Sequence, residues 1–167
     1  MPPSLTFAIL TISDTRTLEN DRSGAYLVDA VTQSGHCVSD RQLIEDNCYR
    51  IRAIVSQWIA DPSLQVILTT GGTGIAPRDT TPEALRPLLD QELPGFGELF
   101  RWLSYAEIGC ATLQSRTFGG IANGTLLFCL PGSTGACRTA WEKILQYQLN
   151  AETTPCNFVS LLCFDGS

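Results

Sequence analysis

The sequence passes from an apolar run into a glycine loop in the stretch Val66-Ile67-Leu68-Thr69-Thr70-Gly71-Gly72-Thr73-Gly74. A short apolar run rich in β-branched residues is typical of a parallel strand that is buried on both faces. Glycines lack a Cβ, so the backbone N–H groups of the loop can approach an anion closely. The loop has no P-loop lysine, and Pro77 occupies the third glycine position of a dinucleotide-binding motif. The stretch therefore predicts a buried strand followed by either a phosphate-binding loop or a plain tight turn.

Strand and helix patterns alternate on both sides of this stretch. Strands are predicted over Leu5–Ile12, Cys37–Ile44 and Val66–Thr70, and over Arg116–Ile121 and Thr125–Leu130, which flank the turn pair Asn123-Gly124. Helices are predicted from a Ser23 cap to Gly35, from an Asp46 or Asn47 cap through Ile59, from Thr81-Pro82, over Gly95–Ile108, and over Thr134–Leu149. This order predicts a single α/β domain over residues 1–167. We expect a three-layer αβα sandwich with a mainly parallel sheet and a short antiparallel hairpin.

Composition excludes two classes of partner. The 167 residues carry a net charge of -6 and no basic cluster, so we predict no nucleic-acid binding. No apolar segment approaches the ~18 residues that span a membrane, and the start of the chain lacks the pattern of a secretory signal.

The cysteines are odd in number and none forms a C-x-x-C pair, which predicts buried or half-buried thiols in a reducing cytoplasm. They are Cys37, Cys48, Cys110, Cys129, Cys137, Cys156 and Cys163.

Three loops follow predicted strands and carry polar or glycine residues. They are Ser13-Asp14-Thr15, Gly71-Gly72-Thr73-Gly74 and Pro131-Gly132-Ser133. Ligands of open parallel sheets bind outside the carboxyl ends of the strands. We therefore expect the three loops to converge on one binding site at this edge of the sheet.

Two acidic residues are candidates for chemistry at that edge. Asp79 could hold Mg²⁺ beside a phosphate-binding loop, or it could form an Asx turn before the next helix. Asp46 could be a second acidic group of the site, or a plain helix cap. His36 is the only histidine, and the sequence indicates no Ser-His-Asp set or metal cluster built on it.

Several motifs, in the same order along the chain, resemble the MoaB/MogA molybdopterin-binding family. The matching segments cover nearly the whole chain and are Leu10–Arg16, Ile67–Gly74, Pro77–Ala84, Glu92–Glu98, Leu113–Arg116, Leu130–Thr134, Ala136–Glu142 and Pro155–Phe158.

The resemblance implies a three-layer α/β domain that assembles as a homo-oligomer, a trimer or a hexamer. It implies adenylylation of molybdopterin with Mg-ATP, with Asp79 and Asp46 as catalytic residues and Asp79 as a Mg²⁺ ligand. A molybdenum-insertion protein would act downstream. The alternative is a non-catalytic molybdopterin carrier or assembly protein. By the same resemblance, the substrate and nucleotide would contact Ser13, Asp14, Gly71, Gly72, Thr73, Gly74, Ser115, Pro131, Gly132 and Ser133.

Overall fold

A computed structural model describes residues 2–162 and contains one six-stranded mixed sheet. The strands are β1 (Thr6–Ile12), β2 (Cys37–Ile44), β3 (Val66–Thr70), β4 (Gln91–Glu92), β5 (Phe118–Ala122) and β6 (Thr125–Leu130). Their order across the sheet is β2-β1-β3-β6-β5-β4. The first four strands of that order are parallel, whereas β5 is antiparallel to both β6 and β4.

The order of the strands creates a switch point between β1 and β3. The chain leaves β1 toward β2 at the sheet edge, then returns past β1 to form β3 on its other side. Loops at the carboxyl ends of two such neighbouring strands diverge and leave a crevice between them. The loops that follow Ile12 and Thr70 therefore border this crevice.

Helices cover both faces of the sheet. They are α1 (Arg22–Gln33), α2 (Cys48–Ile59), α3 (Thr81–Leu85), α4 (Pro94–Ile108), α5 (Thr134–Ala140) and α6 (Gln146–Gln148), with a π-helical turn over Trp141–Leu145 that joins α5 to α6. Short 3-10 turns cover Arg86–Leu88, Gly109–Gln114 and Phe158–Leu161.

Each face of the sheet has its own apolar core. One core contains Leu27 of α1, Phe100 of α4 and Trp141 after α5. The other core contains Val55 of α2 and Leu85 of α3. The mixed sheet between two helical layers confirms the predicted αβα sandwich, and β5 and β6 form the predicted antiparallel hairpin. At its turn, Asn123 and Gly124 have φ angles of 51° and 77°.

Several predicted boundaries are confirmed and others are corrected. The predicted bounds of β2, β3 and β6 match the structure, and Asn47 is the cap of α2, which leaves Asp46 free for the site. Ser23 does not cap α1. Asp21 does, because its carboxylate accepts the N–H of Gly24, and it also accepts the hydroxyl of the buried Thr11.

Three further differences from the predicted elements are found. The strand β5 begins at Phe118 rather than at Arg116, because Arg116 bonds to the glycine loop instead of the sheet. The strand β4 was not predicted, since two exposed polar residues give no alternation of apolar residues. The predicted helix over Thr134–Leu149 is interrupted by the π-helical turn.

The cysteine prediction is correct only in part. Cys129 and Cys137 are buried and Cys48 is half-buried, whereas Cys37, Cys110 and Cys156 are exposed. All six of these thiols are free, and Cys163 lies outside the described residues. Within residues 2–162, no helix combines the length and the apolar character that crossing a membrane requires.

Candidate functional site

The loops that follow β1, β3 and β6 surround one open cavity of about 430 Å³. Residues after β2 and from the segment before β5 complete its wall. The cavity holds eleven of the twelve residues predicted for the site. Its lining consists of Ile12, Ser13, Asp14, Thr15, Arg16, Asp46, Gly71, Gly72, Thr73, Gly74, Arg78, Asp79, Gln114, Ser115, Pro131 and Gly132.

The glycine loop lies tightly against its neighbours. Gly71 has a φ of 105°, and a Cβ at this position would collide with the carbonyl oxygen of Ile12 at the end of β1. Its N–H donates to the carbonyl of Leu130 at the end of β6, over 3.0 Å. Gly72 has a φ of 68°, and a Cβ there would meet the Thr81 hydroxyl. Glycine is therefore required where the ends of three strands meet.

The next three residues of the loop present free backbone donors. Within residues 2–162, the N–H groups of Gly72, Thr73 and Gly74 donate no hydrogen bond, although Thr73 is buried. All three residues line the cavity. Consecutive unpaired N–H groups in such a loop form a concave site for an anion such as phosphate. The loop thus has the donors that a phosphate would need.

Asp46 faces the cavity from the end of β2. Its Oδ1 accepts the hydroxyl of Thr80 at 2.6 Å and the N–H of Thr80 at 3.2 Å, and its own N–H donates to Asp14. Burial raises the pKa of Asp46, the bonds from Thr80 oppose this effect, and the charges of Asp79 and Asp14 add to it. The net pKa lies above the ordinary value, with burial as the largest cause.

Asp79 lies beside Gly74 of the glycine loop. Its Oδ2 accepts the N–H of Ala76 at 3.0 Å, whereas Oδ1 has no hydrogen-bond partner within residues 2–162. This bond comes from three residues earlier in the chain, whereas an Asx turn would take the N–H of Thr81, which donates to the carbonyl of Gly72 instead. The predicted Asx turn is therefore not formed, and among the described residues Oδ1 remains available.

The carboxylates fit a magnesium ion that a phosphate would help to hold. Within the described part of the chain, no three His, Cys, Asp or Glu side chains could hold a metal ion without further ligands. Magnesium commonly binds through one or two carboxylates together with substrate phosphates and waters. Asp79 offers one free oxygen beside the loop, which matches that donor set.

Two arginines of the cavity were not predicted as site residues. Arg16 donates to the carbonyl of Gly132 at 2.9 Å and so links the first and third loops. Arg78 lines the cavity and is exposed. Guanidinium groups suit phosphate oxygens. Both residues lie in segments that resemble the family. No local sequence pattern indicates that an arginine side chain will contact another loop, so neither was predicted for the site.

The two predicted serines differ in position. Ser115 lines the cavity, and its hydroxyl lies 2.8 Å from that of Thr117. Ser133 does not line it, because its hydroxyl accepts the N–H of Ala136 at 3.1 Å and caps α5. Of the twelve predicted residues, Ser133 alone is not brought into the cavity.

An open α/β sheet with a glycine loop at its switch point defines a class of small-molecule-binding domains. Residues 8–151 match the family described as a probable molybdopterin binding domain. The chain therefore belongs to this family of molybdenum cofactor biosynthesis, and the resemblance seen in the motifs is confirmed.

Individual relatives agree with this assignment. The chain is 57% identical over 151 residues to molybdenum cofactor biosynthesis protein B of Escherichia coli (strain K12), covering 90% of this chain and 89% of that protein. A crystal structure of molybdenum cofactor biosynthesis protein B gives a TM-score of 0.86 at 42% identity, covering 89% of this chain and 93% of that chain. The tungsten cofactor synthesizing protein MoaB from Pyrococcus furiosus gives 0.77 at 34% identity, covering 86% and 92%.

Substitution of Gly71 tests the close approach of the strand ends. Gly71→Ala forces a Cβ against the Ile12 carbonyl at a positive φ, so we expect the free energy of unfolding to fall by about 2–4 kcal/mol. Gly135→Ala is the control, because its Cβ would meet nothing within 4 Å and alanine favours the helix. Urea unfolding of both variants gives the comparison, and equal midpoints would contradict the proposed crowding.

The raised pKa of Asp46 predicts that the stability of the protein depends on pH. Its folded pKa lies above the ordinary 3.8, so the folded state binds the proton more tightly, and its ionisation lowers stability as the pH rises through the folded pKa. Asp46→Asn removes the charge and keeps an oxygen for Thr80. We expect the variant to melt above wild type at pH 7 and the difference to vanish at acid pH, below the ordinary pKa of an aspartate.

Thermal unfolding from acid to neutral pH measures this effect. The exposed Asp29 on α1 provides the control, since Asp29→Asn should show no difference that grows with pH. A Tm of Asp46→Asn below that of wild type at neutral pH would contradict the role of burial and of the neighbouring carboxylates.

Proposed function

We propose that this protein binds molybdopterin in the cavity at the strand ends and adenylylates it with Mg-ATP. The observation that carries the proposal is a run of three N–H groups, at Gly72, Thr73 and Gly74, that have no partner among residues 2–162 and lie beside an Asp79 oxygen that has none there either. Both substrates carry phosphate, and the loop supplies donors for it. The free thiols suit a reducing compartment, so we assign the reaction to the cytoplasm.

The reaction joins two phosphates. An oxygen of the terminal phosphate of molybdopterin attacks the α-phosphorus of ATP, and a new P–O bond forms. The bond between that phosphorus and the oxygen bridging to the β-phosphorus breaks, and pyrophosphate leaves. A phosphate monoester is already largely ionised at neutral pH, so the attack needs no strong general base. This agrees with a cavity whose lining contains no histidine among the described residues.

The main barrier to this reaction is the repulsion between two anions. Positioned N–H donors and guanidinium groups offset such repulsion. The glycine loop would hold the phosphates, and Arg16 and Arg78 would add positive charge from two sides. Bound Mg²⁺ would neutralise charge on the triphosphate, with Asp79 as its protein ligand. Asp46 would contribute the second carboxylate of the site.

An Asp79→Asn variant tests the enzymatic role. The amide keeps an acceptor for the Ala76 N–H but loses the negative charge that Mg²⁺ requires. We expect turnover to fall on the order of 100-fold, whereas the affinity for molybdopterin stays within a few-fold. Chromatographic quantification of adenylyl-molybdopterin, together with a pyrophosphate assay, measures the change.

Asp29→Asn serves again as the matched control, because it removes one exposed carboxylate that is not part of the cavity lining. Its turnover should equal that of wild type. Unchanged turnover in Asp79→Asn would contradict the assignment of this residue to the reaction.

One observation favours a second candidate function, that of a non-catalytic molybdopterin carrier or assembly protein. The hydroxyl of Ser133 caps α5. The Ser133 side chain therefore does not reach the cavity and cannot contact a substrate there. A carrier would bind molybdopterin but form no adenylylated product, even when an active adenylyltransferase assayed in parallel does. Such a carrier would deliver its ligand to the next protein of the pathway, such as a molybdenum-insertion protein.

The helix α4 supports a homo-oligomer. Apolar side chains recur along it at three-residue spacing and remain exposed, and they are Leu99, Trp102, Tyr105 and Ile108. Trp102 is 73% exposed, and large apolar residues grouped in this way commonly form protein contacts. We propose that this stripe contacts a second copy of the chain, within a trimer or a hexamer.

A charge on the stripe should dissociate the assembly. We expect Trp102→Glu to lower the mass in solution toward that of one chain, because a buried unpaired carboxylate is strongly unfavourable in an interface. Tyr49→Glu is the control, since Tyr49 is 77% exposed on another helix. Light scattering after gel filtration measures the mass. An unchanged mass in Trp102→Glu would show that the stripe is not the interface.

A further inference from the structure

The segment between the glycine loop and Asp79 has few attachments of its own. We call residues 75–78 the flap, and all four are exposed, including Ile75 at 64%. The N–H of Asp79 donates to the carbonyl of Ala76 at 2.9 Å, and the N–H of Ala76 donates to Asp79 Oδ2. These bonds close the flap on itself, but they do not fix its position relative to the rest of the cavity.

Arg116, which lies between the 3-10 turn Gly109–Gln114 and β5, supplies an outside attachment. Its Nε donates to the carbonyl of Gly74 at 2.8 Å, and its Nη2 donates to the carbonyl of Asp79 at 2.8 Å. One guanidinium group therefore binds the residue before the flap and the residue after it. Its backbone N–H also donates to Thr73 at 2.9 Å, and its Nη1 forms an ion pair with Glu83.

The bonds of Arg116 argue against direct contact with substrate. Each of its three nitrogen atoms already has a partner in the protein. Arg116 is absent from the lining of the main cavity and lies instead behind the flap. Its guanidinium is thus engaged in holding the backbone, and any effect on the reaction must pass through Asp79 or the loop.

We propose that Arg116 is a positioning residue that ties the two ends of the flap together and thereby sets Asp79 at its place beside the phosphate-binding loop. Its role in the reaction rests on the proposed function. The planar fork of arginine can bind two carbonyl groups and a carboxylate at once, whereas the single ammonium of lysine cannot span them. Arg116, together with the loop itself, therefore determines the distance between the loop N–H groups and the Asp79 carboxylate.

Proteolysis of the flap tests this role directly. Trypsin can cleave after Arg78 only when the flap leaves its bound conformation, so the initial cleavage rate reports flap opening. Loss of both carbonyl bonds in Arg116→Met should raise that rate about tenfold or more, the factor expected for at least one lost hydrogen bond. The fragment that ends at Arg78 is quantified by mass spectrometry under native conditions.

Glu83→Gln is the matched control. It removes the ion pair, whose carboxylate is largely exposed, and leaves the two carbonyl bonds in place. Its cleavage rate should stay within about twofold of wild type, because exposed ion pairs contribute little. Arg116→Lys keeps the positive charge and should fall between wild type and Arg116→Met. If the urea midpoint shows that Arg116→Met is not folded, the comparison of Arg116→Lys with Glu83→Gln decides.

A cleavage rate in the Arg116 variants equal to that in Glu83→Gln would overturn the proposal. Turnover provides a second reading, since displacement of Asp79 should lower kcat while the dissociation constant of molybdopterin changes little. The two conclusions can fail separately. If wild type makes no adenylylated product, the proposed function fails, and the trypsin comparison still determines whether Arg116 holds the flap.

Discussion

The close approach of three strand ends at Gly71 is the constraint on which the site depends. The N–H of Gly71 bonds to the end of β6, and its α-carbon lies against the end of β1 with no space for a Cβ. Because these ends are in contact, the loops that leave them surround one crevice. The following N–H groups then have no hydrogen-bond partner in the described part of the chain, and this property suits the loop to phosphate.

The site combines acidic and basic side chains. Among the described residues, three carboxylates and two guanidinium groups line the same cavity. Burial raises the pKa of Asp46 most, and the charges of Asp79 and Asp14 add to this effect. A bound cation would relieve this repulsion, whereas phosphate groups would use the arginines and the loop. Acidic residues that are held close together without a cation lower stability, and such strain is common where function requires it. A ligand that brings both a metal ion and phosphates, as the proposed reaction requires, would therefore match both kinds of charge.

Sequence patterns predicted the parts of the fold that depend on local order. Buried strands such as Val66–Thr70 are continuous apolar runs, and a turn pair such as Asn123-Gly124 has one favoured geometry. The convergence of the loops followed from the rule for parallel sheets.

What the patterns missed depends on contacts between distant residues. Asp21 rather than Ser23 caps α1 through the N–H of Gly24, and a hydroxyl from a distant residue, Thr11 of β1, also binds the Asp21 carboxylate. The contacts of Arg16 and Arg116 join residues that are far apart in the chain. A single sequence carries no local signal for such partners.

The central claim is that phosphate chemistry on molybdopterin takes place in this cavity, and phosphorus NMR of the wild-type protein tests it most directly. The phosphate resonance of molybdopterin should shift or broaden when the protein is added. After Mg-ATP is added, it should be replaced by the paired signals of a phosphoanhydride, and pyrophosphate should appear. A phosphate resonance that does not respond to the protein would contradict the account. A response to binding without any phosphoanhydride would restrict the protein to a carrier role.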